Sequence, residues 1–120
     1  MRKKILVVDD DKDILEPLSL ILEAKGYLVE TVAKGKLVYS TIAVFKPSVV
    51  LLDVLMSGSD GREICRRLKQ DKKNKSLKVI IMSAHPSAEK DALAIGADDF
   101  IAKPFEMEEL FTLLEKNFAS

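Results

Sequence analysis

The sequence predicts an α/β fold in which a five-stranded parallel sheet carries helices on both faces, in a (βα)5 doubly wound arrangement. Two observations predict it: short aliphatic runs alternate with segments of helical spacing, and this alternation repeats five times along the chain. Units of strand, helix and strand place consecutive strands parallel in one sheet. The chain has 120 residues, 48% of them hydrophobic, which suits one domain over residues 1–120 with its own core.

The five predicted strands are short, and most are rich in the β-branched residues that are typical of strands. They are residues 5–8, 27–32, 49–52, 79–82 and 100–102. The first and third runs are the most uniformly apolar. We therefore expect these two strands at the centre of the sheet, where both faces are buried.

Helical spacing follows the first strand, with apolar residues at i, i+4, i+7 and i+8. These residues are Ile14, Leu18, Ile21 and Leu22. Gly26 is expected to close this helix. Pro17 lies inside the helix and removes a backbone donor, a cost that is limited if Asp13 is the N-cap and Pro17 ends the first turn.

The other four predicted helices have apolar stripes of different lengths, and the second is the least regular. In chain order the stripes are Leu37, Ile42 and Val44; Ile64, Cys65 and Leu68; Ala88, Leu93 and Ile95; and Met107, Leu110, Phe111, Leu114 and Phe118. The third helix follows an Asp60-Gly61 turn, and Gly96 is expected to end the fourth. We interpret Cys65 as a small apolar filler on its helix.

The composition excludes several classes of function. The 19 basic and 19 acidic side chains give a formal net charge of zero, which argues against a general nucleic-acid binder. Cys65 has no second cysteine with which to form an internal disulfide, as is usual in a reducing compartment. The chain shows neither a signal peptide nor an apolar segment of membrane-spanning length. We expect a cytoplasmic protein without direct contact to membrane or nucleic acid.

Chemically useful residues follow four of the five predicted strands, at the strand ends beside which ligands bind in open α/β sheets. They are Asp9, Asp10 and Asp11 after the first strand, Asp53 after the third, Ser83 and Ala84 after the fourth, and Lys103 after the fifth. Each alone has an ordinary explanation as an acidic helix cap, a strand end, a satisfied hydroxyl or a turn. Their shared placement favours one site.

Carboxylates gathered at one sheet edge repel one another. Two like charges about 4 Å apart cost roughly 4 kcal/mol at an effective dielectric of about 20. Carboxylate oxygens without His or Cys suit Mg²⁺ or Mn²⁺. A lysine and a hydroxyl opposite the acids would suit phosphoryl oxygens, which often accompany Mg²⁺. This set allows attack by Asp53 to form an aspartyl phosphate.

At these residues the sequence resembles the receiver domains of two-component response regulators, over essentially the whole chain. The resembling segments are ILVVDD at 5–10, VVLLD at 49–53, IIMSA at 80–84 and GADDFIAKPF at 96–105. The resemblance implies a flavodoxin-like sheet with strand order 2-1-3-4-5. It also implies a phosphorelay signalling domain that is not an ordinary enzyme, because it catalyses only its own phosphorylation and dephosphorylation.

The resemblance further implies which residues bind the metal ion and the phosphoryl group. Asp53 would accept the phosphoryl group from a histidine kinase or histidine phosphotransfer protein. Asp10 would bind Mg²⁺ directly, and Asp9 directly or through water. Asp53 and the backbone carbonyl of Leu55 would complete the protein ligands.

Four more residues would stabilise the phosphoryl group and report its presence. Lys103 would pair with Asp53 and then with a phosphoryl oxygen, while Ser83 and the Ala84 amide would bind other oxygens. Phe100 would be the switch aromatic and would pack inward when Ser83 moves. The fourth helix, fifth strand and fifth helix would then control an output domain or a downstream protein, with homodimer formation on phosphorylation as a further option.

Several positions depart from the usual family pattern. Ser57 stands where the family usually has proline, and Phe100 stands where tyrosine is common. Leu55 and His85 occupy positions that overlook the phosphoryl group in receivers. Leucine cannot orient an attacking water, and His85 either influences such a water or is an exposed loop residue.

Two other classes of function stay open at this point. The same fold could be a pseudo-receiver, a protein-interaction module that works without phosphorylation. A phosphatase or a flavin enzyme on a similar fold is disfavoured. Leu55 stands where an aspartate-nucleophile phosphatase needs a second acid, and acids stand where a flavin site needs a loop that binds phosphate.

Charge is unevenly distributed despite the zero total. The basic residues around the third helix and the loop after it are Arg62, Arg66, Arg67, Lys69, Lys72, Lys73, Lys75 and Lys78. The acidic residues of the fifth helix are Glu106, Glu108, Glu109 and Glu115. Each cluster is either a solvated face or a surface that steers a charged partner.

Overall fold

The computed structural model describes residues 3–56, 58–85 and 88–119, without the side chains of Leu55 and Ser59. Its main sheet consists of β1 (Lys4–Val8), β2 (Leu28–Val32), β3 (Val49–Asp53), β4 (Lys78–Ser83) and β5 (Asp99–Ala102). Neighbouring strands are parallel, in the order β2-β1-β3-β4-β5. This confirms the predicted doubly wound sheet, with β1 and β3 in its interior.

In the described part of the chain, five α-helices cover the two faces of the sheet. They are α1 (Lys12–Ala24), α2 (Val38–Phe45), α3 (Gly61–Gln70), α4 (Ala88–Ala94) and α5 (Met107–Ala119). Side chains alternate along β1, so Leu6 and Val8 pack with α2, α3 and α4, while Ile5 and Val7 pack with α1 and α5. None of these described helices combines the length and the apolar character needed to cross a membrane.

The first helix begins earlier than the sequence suggested. Its N-cap is Asp11 rather than Asp13, because the extended Asp11 accepts a hydrogen bond from the Asp13 amide at 2.9 Å. Asp13 lies in the first turn, where an acid interacts favourably with the helix dipole. Pro17 therefore lies in the second turn, and its ring nitrogen cannot donate to the Asp13 carbonyl.

Gly26 and Gly96 end α1 and α4 as predicted. Both have positive φ, at 100° and 104°, a conformation that glycine adopts without steric cost. After α1 the Tyr27 amide donates back to the Leu22 carbonyl at 3.3 Å, and an equivalent bond closes α4. These glycines set the direction in which the chain enters β2 and β5.

Several apolar residues of the predicted stripes are exposed or lie outside the helices. Leu37 belongs to a 3-10 turn (Gly35–Leu37) before α2, and Ile95 follows the last residue of α4. Val44 is 85% exposed and Leu93 is 50% exposed. The two helices are short, and each buries only part of its surface against the sheet.

Cys65 is fully buried on α3, which confirms its interpretation as an apolar filler. Burial raises the pKa of its thiol to about 11, because the thiolate would lose its hydration. The unfolded chain releases this proton first, from a pKa of 9.0. The contribution of Cys65 to stability is therefore complete below about pH 9 and is lost as the pH rises towards about 11.

We expect the advantage of wild type over Cys65→Ala in unfolding free energy to shrink by about 1 kcal/mol between pH 7 and pH 10. Urea unfolding of both proteins at the two pH values measures this difference. Other titrating groups are common to both proteins and cancel. An unchanged difference would show that the thiol ionises equally easily in the folded and unfolded chain.

Candidate functional site

Four strands bring polar groups to the carboxyl edge of the sheet. The chain leaves β1 at Asp9 and Asp10, β3 ends on Asp53, β4 ends on Ser83, and Lys103 follows β5. The strands are parallel, so these residues lie along one edge, as the sequence predicted. Asp53 and Ser83 are the last residues of their strands rather than the first residues of loops, because each strand pairs one residue farther than predicted.

Three carboxylates form the centre of this edge. One oxygen from each of Asp9, Asp10 and Asp53 lies within 4.8 Å of the others. Asp9 is 1% exposed and Asp53 is 8% exposed, so water screens their repulsion poorly. An oxygen-only set of hard ligands fits a divalent cation such as Mg²⁺ or Mn²⁺.

Lys103 supplies a positive charge in the same crevice. Its Nζ donates to Asp9 Oδ2 at 2.6 Å and lies 3.6 Å from Asp53 Oδ1. The shorter contact is thus with Asp9, whereas the family resemblance emphasised Asp53. The second oxygen of Asp9 accepts the Asp11 amide at 3.0 Å. Both oxygens of Asp9 are therefore engaged, and a cation bound there would compete with Lys103.

Ser83 connects the loop after β4 to the residue after β5. It is 2% exposed, and its Oγ accepts the His85 amide at 3.1 Å. Its carbonyl accepts the Lys103 amide at 2.8 Å. Ala84 and His85 are exposed, which fits the interpretation of His85 as an exposed loop residue.

Phe100 on β5 is half-buried and packs against the core on the face covered by α2, α3 and α4.

The start of β5 is fixed on both faces of the sheet by two acids that sequence reasoning missed. Asp98 Oδ2 accepts hydrogen bonds from the Val79 amide of β4 and from Lys69 Nζ, both at 2.8 Å. Asp99 Oδ2 accepts Asn117 Nδ2 at 3.1 Å. The sequence could have indicated this, because adjacent side chains of an extended chain point in opposite directions, which places Asp98 and Asp99 on opposite faces of the sheet.

Gly61, interpreted from sequence only as part of a turn, packs against the backbone that carries Asp53. A Cβ at this position would overlap the Asp53 carbonyl oxygen and lie 2.8 Å from Val54 Cα. The Gly61 amide donates to the Val54 carbonyl at 3.0 Å. The first residue of α3 thus supports the end of β3. A larger residue at position 61 would displace either the start of α3 or the end of β3.

Asp60 fixes the direction in which α3 starts. Its side chain accepts the Arg62 amide at 2.9 Å as the N-cap. Burial raises the pKa of the Asp60 carboxyl, but hydrogen bonds from the Arg62 amide and guanidinium outweigh it and hold that pKa below its ordinary value. Asp60 therefore keeps its charge, and its capping of α3, at neutral pH.

The loop between β3 and α3 contains a two-residue antiparallel ladder, Leu55–Met56 with Ser59–Asp60. Leu55 thus follows Asp53 by two residues and pairs with Asp60 in this ladder. Its role as a carbonyl ligand stays a prediction. The departure at Ser57 lies outside the described residues.

The fold and this edge define a class: doubly wound α/β proteins with an acidic, lysine-bearing crevice beyond the carboxyl ends of the strands. The response regulator receiver domain model matches residues 5–115. The chain belongs to the response regulator receiver family. It is a receiver domain of two-component signal transduction.

Individual relatives agree with this assignment. The chain is 38% identical to the response regulator MprA of Mycolicibacterium vanbaalenii over 112 residues, which cover 92% of this chain and 48% of that protein. A response regulator structure from Chloroflexus aurantiacus has 33% identity, full coverage of both chains and a TM-score of 0.94. The BeF3-activated DrrB receiver domain has 32% identity, full coverage of both chains and a TM-score of 0.86. The chain spans about half the length of the curated relatives it matches.

Proposed function

We propose that this receiver is a phosphorylation-driven switch whose phosphoryl acceptor is Asp53. Asp9, Asp10, Asp53 and the Leu55 carbonyl would hold Mg²⁺, and a histidine kinase or histidine phosphotransfer protein in the cytoplasm would donate the phosphoryl group. The supporting observation is the carboxylate cluster, in which Asp9 and Asp53 are buried, with Lys103 Nζ 2.6 Å from Asp9 and 3.6 Å from Asp53. Phosphoryl transfer depends on such positioning and charge stabilisation.

In the proposed reaction an Asp53 oxygen attacks phosphorus, and the bond from phosphorus to the donor's histidine nitrogen breaks. The products are an acyl phosphate on Asp53 and a free imidazole. Bound Mg²⁺ would supply charge neutralisation for the phosphoryl oxygens. Lys103 would offer a second positive charge, and Ser83 Oγ and the Ala84 amide would donate hydrogen bonds to the remaining oxygens.

The output would depend on contacts that differ between two states. In this structure Ser83 Oγ accepts the His85 amide, while the Ser83 carbonyl is held by the Lys103 amide. A Ser83 hydroxyl that turns to the phosphoryl group would draw the loop before α4 with it. Phe100 would then pack further inward and reshape the surface of α4, β5 and α5, which would control an output domain, a downstream protein or a homodimer. A near-complete switch needs about 5 kcal/mol of differential binding.

Beryllofluoride, a phosphoryl mimic, tests this proposal against the pseudo-receiver alternative. We expect Mg²⁺ and beryllofluoride together to shift the amide resonances of Ser83, Phe100 and α4 in a saturable manner. Asp53→Asn should abolish these shifts. Asp13→Asn removes the same charge from an exposed residue of α1 and is the matched control. A wild-type spectrum that does not respond would favour the pseudo-receiver.

Leu55→Asn is expected to shorten the lifetime of the phosphoryl group, by about fivefold, because an amide can hold a water in position for attack and leucine cannot. The decay of phosphorylated protein after removal of the donor, followed by intact mass, gives the rate. A parallel Leu55→Met variant keeps the position apolar and should decay like wild type. Equal decay in all three proteins would place the side chain away from the attacking water.

A further inference from the structure

A groove lies at the opposite end of the molecule from Asp53, between α2 and the segment that joins α3 to β4. Its volume is about 560 Å³. One wall includes Tyr39, Ala43 and Lys46 of the α2 side, and the other includes Lys73. The walls lead into the amino ends of β3 and β4, whereas Asp53 ends β3 at the far edge. Events at the groove are therefore separated from the carboxylate cluster by the length of a strand.

The groove exists because a small residue faces the neighbouring wall. Tyr39 and Ala43 are spaced i and i+4 and so share one side of α2, and Lys46 directly follows the helix. Ala43 leaves open the space that a larger side chain would fill. The floor is apolar and formed by buried side chains that include Leu68 and Leu77.

Hydrogen bonds within the chain hold the wall that the joining segment forms. In the joining segment, the Lys73 amide donates to Asp71 Oδ1 at 2.9 Å, and the Leu77 amide donates to the Asn74 carbonyl at 3.0 Å. Lys69 Nζ also binds the Leu77 carbonyl at 3.0 Å. A preformed site loses less conformational freedom on binding.

The charge around the groove is strongly positive in a chain of zero net charge. Residues 62–78 contain eight basic and two acidic side chains. Arg62, Arg66 and Lys69 pair with nearby acids. Among the described residues no ion pair involves the lysines at or beside the groove, which are Lys46, Lys72, Lys73 and Lys75.

An aromatic ring completes the wall. The Arg67 guanidinium lies 4.8 Å from the centre of the Tyr39 ring, so both side chains are oriented by a cation–π contact. Tyrosine and arginine are enriched in surfaces that bind proteins. An apolar floor, an aromatic wall and a basic rim together match an acidic segment that also carries an apolar side chain.

We propose that the groove binds an acidic peptide segment of a partner protein, with an apolar side chain on the floor and carboxylates against the rim lysines. This binding would not depend on phosphorylation at Asp53, because the two sites lie at opposite ends of β3. A peptide is favoured over a nucleic acid because the floor of the groove is apolar, and an apolar side chain can fill it whereas a phosphate backbone cannot.

The probe is an acetylated, amidated peptide with two central leucines and three aspartates on each side, titrated into ¹⁵N-labelled full chain. We expect saturable shifts confined to α2 and residues 68–77, with a dissociation constant below about 1 mM. A matched peptide with serines for the leucines should bind at least fivefold more weakly. Addition of Mg²⁺ and beryllofluoride should leave the affinity unchanged, and this comparison separates the groove from the switch.

Two variants alter the groove in different ways. Ala43→Leu fills it without changing charge, and Lys73→Glu reverses one rim charge; each should weaken binding at least fivefold. Lys36→Glu, on an exposed residue of the turn before α2, makes the same charge change away from the groove and should bind like wild type. The proposal would be overturned if Lys36→Glu weakened binding as much as Lys73→Glu, or if the serine peptide bound as tightly as the leucine peptide. Shifts outside the groove, or tighter binding of a DNA or RNA oligonucleotide, would also overturn it.

Discussion

Lys103→Met is expected to strengthen Mg²⁺ binding about tenfold. Lys103 donates to Asp9 at 2.6 Å and lies 3.6 Å from Asp53. It therefore occupies carboxylate oxygens that a divalent cation would need, and its charge repels that cation. Methionine keeps an apolar stem of similar length but removes the charge. Hydrogen bonds to charged groups are worth about 1.5–3 kcal/mol, enough for the expected change.

Calorimetric titration with Mg²⁺ measures this effect. Lys36→Met removes an exposed lysine outside the crevice and should bind Mg²⁺ like wild type. The same Lys103→Met protein should lose the beryllofluoride response of Phe100, because the second positive charge at the phosphoryl group is missing. Unchanged or weaker Mg²⁺ binding in Lys103→Met would show that the lysine and the metal do not share ligands.

Gly61→Ala is expected to destabilise the fold by about 3 kcal/mol and to weaken phosphoryl acceptance. The added methyl group would overlap the Asp53 carbonyl and press on Val54. Relief requires a shift of either α3 or the end of β3, and the second of these displaces Asp53 from the carboxylate cluster. Small displacements of a reacting group can cost much of its reactivity.

Gly58, in the loop just before α3, distinguishes this contact from a general effect of backbone conformation. Gly58 has a φ of 76°, but a Cβ added there would meet no neighbouring atom within 4 Å. Gly58→Ala should therefore cost only about 1–2 kcal/mol of backbone strain. Urea unfolding gives the two stabilities, and intact mass after treatment with acetyl phosphate gives the extent of phosphorylation. A cost for Gly61→Ala no larger than that for Gly58→Ala would contradict the proposed contact.

The sheet and its functional edge could be predicted because they depend on local patterns. Buried parallel strands are continuous aliphatic runs, and the residue that ends such a run lies at the sheet edge. This logic located Asp53 and Ser83 to within one residue, and helix-ending glycines such as Gly26 were equally readable. The strand order rested on family resemblance, since alternation alone does not fix which strands are neighbours.

What escaped prediction depends on contacts between distant segments. The packing of Gly61 against Val54 requires knowledge of how α3 meets β3. The preference of Lys103 for Asp9 is a difference of about 1 Å within one crevice, beyond the reach of motif spacing. The N-cap was misplaced by two residues because Asp11 and Asp13 can each cap a helix, and only the extended backbone of Asp11 selects it.

The central claim is that Asp53 accepts a phosphoryl group in a Mg²⁺-dependent reaction. Borohydride reduces an acyl phosphate to an alcohol and so converts a phosphorylated aspartate to homoserine, which peptide mass mapping can locate. After treatment with acetyl phosphate and Mg²⁺, we predict homoserine at position 53 and none when Mg²⁺ is chelated. Homoserine at Asp9 or Asp10 instead, or at no position in a protein that still binds Mg²⁺, would contradict the claim.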